Sequence, residues 1–273
     1  MKSKLNKIAL NAILFIFTLA VLYPLAWMVL LSFKSNPEKF SSFSELVFSQ
    51  FTLQNFQETI NSDKFYLYIF NSALIATIVT LGNVLFCFMT AYALVRRDFI
   101  GRNFTITMIM GLLLVPAFVT MIPVFSLMVD FGWIDTYWSL ILPWLVSPFG
   151  VYLVYQYMKG IPFEIEDAAK IDGASDFKIV FQIIMPLCKP ILTVLAIYTF
   201  LSNWNSFLYP YLLTNSENLR TLPVGLAFYF GKQSIDWGNL MAGATISALP
   251  IIILFIFFQN SIIKGLTAGA LKE

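Results

Sequence analysis

Of 273 residues, 59% are hydrophobic and only 12% charged, with a mean hydropathy of +0.78; soluble domains carry roughly 25% charged residues, so the chain reads as an integral membrane protein. A net charge of +2 without a run of like charges argues against a nucleic-acid surface. Histidine is absent, which removes the commonest metal ligand and general base, and the two cysteines, Cys87 and Cys188, offer neither a disulfide framework nor metal-ligand spacing.

In chain order, Lys2, Lys4 and Lys7 precede an apolar run over 8–33 that is longer than a signal-peptide core and lacks a small-residue cleavage site, so it is read as a retained first span. A polar connector over 34–64 follows. The second predicted span, 66–95, ends in Arg96-Arg97-Asp98 with Arg102 just beyond. The third, 104–128, contains Pro116 and Pro123, which remove helical hydrogen bonds and should bend or break it, either lining a pathway or only serving packing. The fourth, 138–158, holds Pro143 and Pro148. A fifth over 191–213 and a sixth over 239–263 complete six spans in one domain, 1–273. No internal repeat is obvious, so an inverted-repeat carrier gains no support.

The longest polar interruption after the connector is 161–190. Glu164, Glu166 and Asp167 suit the positive end of a helix dipole, Ala168 and Ala169 favour helix, Gly173 interrupts, and a second helical run from Asp176 to Ile184 is expected to stop at Pro186. Two short helices with a joint result, with small residues that let a partner approach and charges that orient it. The most polar sequence inside a span is Ser202-Asn203-Trp204-Asn205-Ser206. A Trp face can stack on a sugar ring while Asn203 and Asn205 bond its hydroxyls; alternatively the amides bond neighbouring helices.

Placing the N-terminus in the cytoplasm puts twelve of the seventeen Lys and Arg residues inside, and with them both termini and the 161–190 stretch. Aromatic residues near the outer boundaries, such as Trp133, Tyr137, Trp138, Tyr209 and Trp237, fit an interfacial belt. The loops around Glu45 and over 219–236 are where a docked extracytoplasmic protein would be sought.

Asp167-Ala168-Ala169, then Gly173, then Ile183-Ile184-Met185-Pro186 meets in full the spacing Glu-Ala-Ala, three residues, Gly, nine residues, Ile, one residue, Leu-Pro. With Ser32-Phe33-Lys34, Asn71-Ser72, Ala91-Tyr92-Ala93, Trp204-Asn205 and the tail from Gly265 to Ala270, the chain resembles, over nearly its whole length, the inner-membrane permease subunit of a binding-protein-dependent ABC importer. Within that class it is similar to the second permease of maltose- and glycerol-phosphate-type carbohydrate importers. Two positions depart from the motif: Asp167 stands for glutamate, with Glu166 beside it, and Met185 for leucine.

The resemblance implies an all-α fold of six transmembrane helices with cytoplasmic coupling helices, as in type I importers. It implies that Glu166, Asp167, Ala168, Ala169, Gly173, Ile183 and Pro186 couple to an ATPase dimer, which binds the ATP and Mg. A second, homologous permease and an extracytoplasmic solute-binding protein complete the assembly, in a cytoplasmic or inner membrane, and the cargo is a sugar. Asn203, Trp204 and Asn205 are candidates for the pathway. The chain itself has no Walker A loop, so it is expected to be non-catalytic, with no cofactor of its own. Amino-acid or polyamine permeases are the alternative within transport. An ion-coupled carrier would place a charge inside a span, and the predicted spans hold none. A membrane enzyme would need a nucleophile with its base, or a metal site, and no such constellation stands in the spans.

Overall fold

The computed structural model describes residues 2–35, 42–48, 50–62, 64–228 and 236–270, and every regular element among them is a helix. Hydrocarbon offers backbone N–H and C=O groups no partner, so helices that satisfy themselves are the expected solution. Where the sequence predicts one domain, packing groups the chain into two compact units: residues up to Tyr66 with 225–251, and 67–224 with the residues from Ile252 on.

In the first unit, α1 (Lys2–Ser32) has 31 residues. At 1.5 Å per residue it is about 46 Å long, more than the roughly 30 Å of a bilayer core. Ile8, Phe15, Phe17 and Leu22 along it are exposed, which suits a helix bathed in lipid. Its end is held by α3 (Gln54–Asn61), from which the buried Asn55 Nδ2 donates to the carbonyls of Ser32 and Lys34, 2.9 Å each. The Phe33 ring lies 4.9 Å from that of Phe56. The Ser32-Phe33-Lys34 triplet is thus a helix end whose free carbonyls are capped from outside. The short α2 (Phe43–Phe48) sets Phe43 against Tyr23 and Trp27.

The second unit is built along α4 (Phe65–Arg96), whose 32 residues run about 48 Å and carry Arg96 beyond the apolar stretch. The predicted third span is not one helix. It consists of α5 (Arg102–Leu112) and α6 (Met121–Asp130), with turns between them around Pro116. The predicted fourth span also breaks. Helix α7 (Tyr137–Ile141) passes into a tight turn at Pro143, and α8 (Pro148–Met158) restarts with Pro148 at its first position and Ser147 as cap, its Oγ accepting from Gly150 N at 3.1 Å.

The 161–190 stretch contains α9 (Glu164–Ile171) and a second run over Asp176–Leu187. That run does not stop at Pro186. It includes α10 (Asp176–Lys178), a π turn over Ile179–Ile184 and α11 (Met185–Leu187). A proline ring collides with the carbonyl four residues back, and a wider turn just before it moves that carbonyl aside. The break falls two residues after Pro186, at Cys188, where α12 (Lys189–Trp204) leaves at 76° with Pro190 in its first turn. The predicted fifth span therefore ends at Trp204, and α13 (Leu208–Leu213) follows separately. A brief α14 (Leu222–Ala227) and the long α15 (Trp237–Ala270) close the order.

The core of the second unit gathers Phe88, Tyr92 and Val95 of α4, Val154 and Met158 of α8, Ala169 of α9, and Ile179, Ile184 and Leu195. Helix α9 and the run that follows it thereby share one packed cluster with α4, α8 and α12. Higher up, the buried Asn83 ties three segments. Its Nδ2 donates to Trp144 O (3.0 Å), and its Oδ1 accepts from Thr199 Oγ1 (3.3 Å) and Cys87 Sγ (3.5 Å). Gly150 sits so close to this cluster that a Cβ would meet Cys87 Sγ and Ser147 Oγ at 2.8 Å.

Candidate functional site: the helix pair over 161–190

Three carboxylates, Glu164, Glu166 and Asp167, occupy the first turn of α9, and Lys170 its last, an arrangement that complements the helix dipole. The helix ends in a Schellman cap: Gly173 N donates to Lys170 O (3.0 Å) and Ala174 N to Ala169 O (2.9 Å). Gly173 takes φ +79°, a conformation that costs side-chain-bearing residues, and no atom lies within 4 Å of where its Cβ would be. The glycine is there for backbone reasons alone. Ser175 then caps the next run, its Oγ accepting from Lys178 N at 3.4 Å.

The motif residues separate into two faces. Asp167, Ala168 and Gly173 are exposed, Ile183 is half-buried and Pro186 is exposed. Around them stand large apolar side chains open to solvent, Phe163, Ile171 at 86% and Phe177 at 69% exposed. Three bulky hydrophobes in water next to small residues and carboxylates form a surface that another protein would cover. Asp167 stays within 3.5 Å of Lys170 on this outer face.

Glu166 and Ala169 turn the other way. Glu166 is 5% exposed, and its Oε1 lies 2.9 Å from Nε of the buried Arg96, close enough for an ion pair although not aligned as a hydrogen bond. Its Oε2 accepts from the Tyr92 hydroxyl at 3.1 Å. The Arg96 guanidinium lies 4.1 Å from the Phe163 ring centre, and its Nη2 donates to Ile161 O at 2.8 Å. Nearby, Arg97 pairs with Asp176 at 2.8 Å, in the open. The sequence reading used Arg96 only to set topology. The available signal was helical spacing, since 166 and 169 share one face of a helix and 167, 168 and 171 the other.

The second group of expected site residues is arranged differently. Asn203 Nδ2 donates to Thr199 O (2.8 Å) and Asn205 Nδ2 to Leu201 O (3.0 Å), each one turn back along α12. Trp204 is 3% exposed and stacks on Phe200, with ring centres 5.8 Å apart at 13°. Its face is therefore covered by its own chain, while Asn203 is half-buried and Asn205 is exposed.

On the side expected to face outward, Asp135 adopts φ +59° and its Oδ1 accepts from Asn215 N, Ser216 N and Ser216 Oγ, all at 2.9 Å. Partial burial works to raise the Asp135 pKa, but these three hydrogen bonds outweigh it and hold the carboxyl below its ordinary range. Asn71 Nδ2 donates to Asn218 O and Arg220 O, and Tyr137 Oη donates to Asn71 Oδ1 at 2.7 Å. Ser72 Oγ accepts from Leu222 N at 2.8 Å. The Asn71-Ser72 pair thus fastens the loop after α13. Residues 229–235, which fall within the loop where a docked extracytoplasmic protein was expected, lie outside the described residues, as does the side chain of Glu45.

A membrane chain whose described elements are all helical, with an exposed helix pair at the Glu-Ala-Ala-type motif, has the architecture of a multi-pass permease. Residues 83–268 match the family described as the binding-protein-dependent transport system inner membrane component, and the chain belongs to that family of inner-membrane ABC importer permeases. It is similar to the arabinooligosaccharides transport system permease protein AraQ of Halalkalibacterium halodurans, at 38% identity over 92% of this chain and 91% of that protein. It is also similar to the trehalose/maltose transport system permease protein MalG of Thermococcus litoralis, at 35% identity over 92% of this chain and 91% of that one. Its fold matches a chain of a bacterial ABC transporter involved in the import of alginate, with a TM-score of 0.81 over 95% of this chain and 97% of the other.

Proposed function

We propose that this chain forms one half of the membrane pathway of an ATP-driven oligosaccharide importer. Its partners in this reading are a second, related permease, an ATPase dimer that binds the ATP and Mg, and an extracytoplasmic solute-binding protein. Both termini lie in the cytoplasm, following the distribution of Lys and Arg. The observation that carries the reading is the exposed face of the helix pair, where Asp167 and Ala168 stand among Phe163, Ile171 and Phe177. These side chains are costly in water and suited to a groove in another protein, through which closure of an ATPase is passed to the spans as rigid-body motion. Relatives named for arabinooligosaccharide, trehalose/maltose and diacetylchitobiose transport support a carbohydrate cargo. Within the pathway, the exposure of Asn205 supports it, of the residues 203–205, as the one that meets a sugar hydroxyl.

The test is to tag the chain, extract it gently from its native membrane and identify by mass what accompanies it. A protein carrying a Walker A loop together with a second multi-span permease is the expected result. A chain that emerges alone, or as a homo-oligomer, would sink the reading. Ala168→Trp should abolish ATPase capture while leaving the chain in the membrane, because Ala168 is exposed and its replacement disturbs nothing internal.

A further inference from the structure

We propose that Glu166 is a positioning residue that fastens α9 to the end of α4, and that the two adjacent carboxylates of the motif divide the work, Asp167 meeting the ATPase and Glu166 transmitting what the ATPase does. The inference rests on the importer reading above. Glu166 is almost wholly buried, so its carboxylate is not on the face that a partner could cover. Its charge is met from within: Arg96 Nε at 2.9 Å and the Tyr92 hydroxyl at 3.1 Å, both from the last turns of α4. Arg96 has no exposed side-chain surface, bonds the carbonyl of Ile161 just before α9, and lies against the ring of Phe163 at the N-terminal edge of α9. One guanidinium thus grips α9 by a carboxylate, a backbone carbonyl and an aromatic face.

Separating two such charges would leave each buried and unpaired, so the joint resists bending where a purely apolar contact would slide. Apolar packing continues the joint, with Ala169 and Ile179 in the same cluster as Phe88 and Val95. A push on the exposed face of α9 therefore reaches α4 as motion of one body. By contrast, the ion pair of Arg97 with Asp176 is open to solvent and weakly held.

The experiment uses the complete transporter with its native partner chains and binding protein in proteoliposomes, and reads two quantities: ATPase retained per permease, and sugar moved per ATP hydrolysed. Glu166→Gln should retain the ATPase at the parental level while sugar per ATP falls about tenfold, within the usual range of couplings between sites. Asp167→Asn should do the reverse, losing ATPase while the assembled remainder keeps the parental ratio. Tyr92→Phe, which removes one hydroxyl without stranding a charge, should lower the ratio less, and it is the variant measured if Glu166→Gln does not accumulate. In the pair Arg96→Gln with Glu166→Gln, the loss should not exceed that of the worse single change, since contacting residues are not additive. Parental sugar per ATP in Glu166→Gln, or in Tyr92→Phe when it stands in, would overturn the proposal. So would loss of ATPase from Glu166→Gln as severe as that from Asp167→Asn. A parental transporter that retains no ATPase would instead sink the importer reading itself.

Discussion

The helix pair over 161–190 and the amide trio at 203–205 are both polar interruptions of an apolar chain, and they are stabilised in opposite ways. In the trio, each asparagine donates an amide hydrogen to a carbonyl one turn back along its own helix, so α12 itself supplies a partner for these polar groups. In the helix pair, the partners of a buried carboxylate among the described residues come from another element, α4, whose Arg96 stands seventy residues earlier in the chain. A polar group that its own helix can satisfy says little about tertiary structure. One that depends on a distant partner fixes the position of the element that bears it.

The largest effects should come from breaking the dependence itself. Arg96→Met strands the Glu166 carboxylate, and removing one partner of a buried pair costs about 3–5 kcal/mol; a collapse of the melting temperature in detergent is expected, and a parental melt would show that the pair is dispensable. Trp204→Ala should destabilise by a similar amount, about 3–5 kcal/mol, for the different reason that it empties a packed site. That change probes the fold and says nothing about sugar.

Gly173→Ala comes next. With nothing near its Cβ, the cost is the left-handed backbone alone, about 1–2 kcal/mol, and uptake should fall while Gly173→Asn, which tolerates that conformation, retains more of it. Equal uptake in all three would mean that the Schellman cap is irrelevant to coupling.

Asp135→Asn removes a carboxylate held below its ordinary pKa. The stability it supplies is present above the unfolded value of about 3.9 and is lost as pH falls through the depressed folded value. The variant should melt below the parent at neutral pH and converge with it in acid. The smallest change in stability is expected of Asn205→Ala, below about 0.5 kcal/mol as for most surface substitutions. Any effect should appear in the apparent affinity for sugar, and an unchanged affinity would remove Asn205 from the pathway.

The class of protein and the motif were legible because both rest on signals that survive in one dimension. Long apolar runs mark the spans, and the spacing from Asp167 to Pro186 marks the helix pair. What was not legible depends on contacts between distant residues. Arg96 at a span end looks like a topology marker until Glu166 is seen to bury against it. Pro116 and Pro123 announced a bend or break in the third span, but not that it becomes two short helices joined by turns around Pro116, with Pro123 inside the first turn of α6. Pro186 misled in the opposite direction, because a π turn lets the helix continue past it. Trp204, attractive as a stacking platform, is an apolar side chain that the fold uses internally.

The 76° elbow at Cys188 has the geometry of a bell crank. Its short arm, Asp176–Leu187, is about 18 Å long and its long arm, α12, about 24 Å, taking 1.5 Å per residue. If the angle is kept, a displacement of about 3 Å at the tip of the short arm swings both arms by about 10°, and the far end of α12 sweeps about 4 Å across the membrane. The leverage exceeds one, so a small step at the exposed face of the helix pair is enlarged at the level of Asn205.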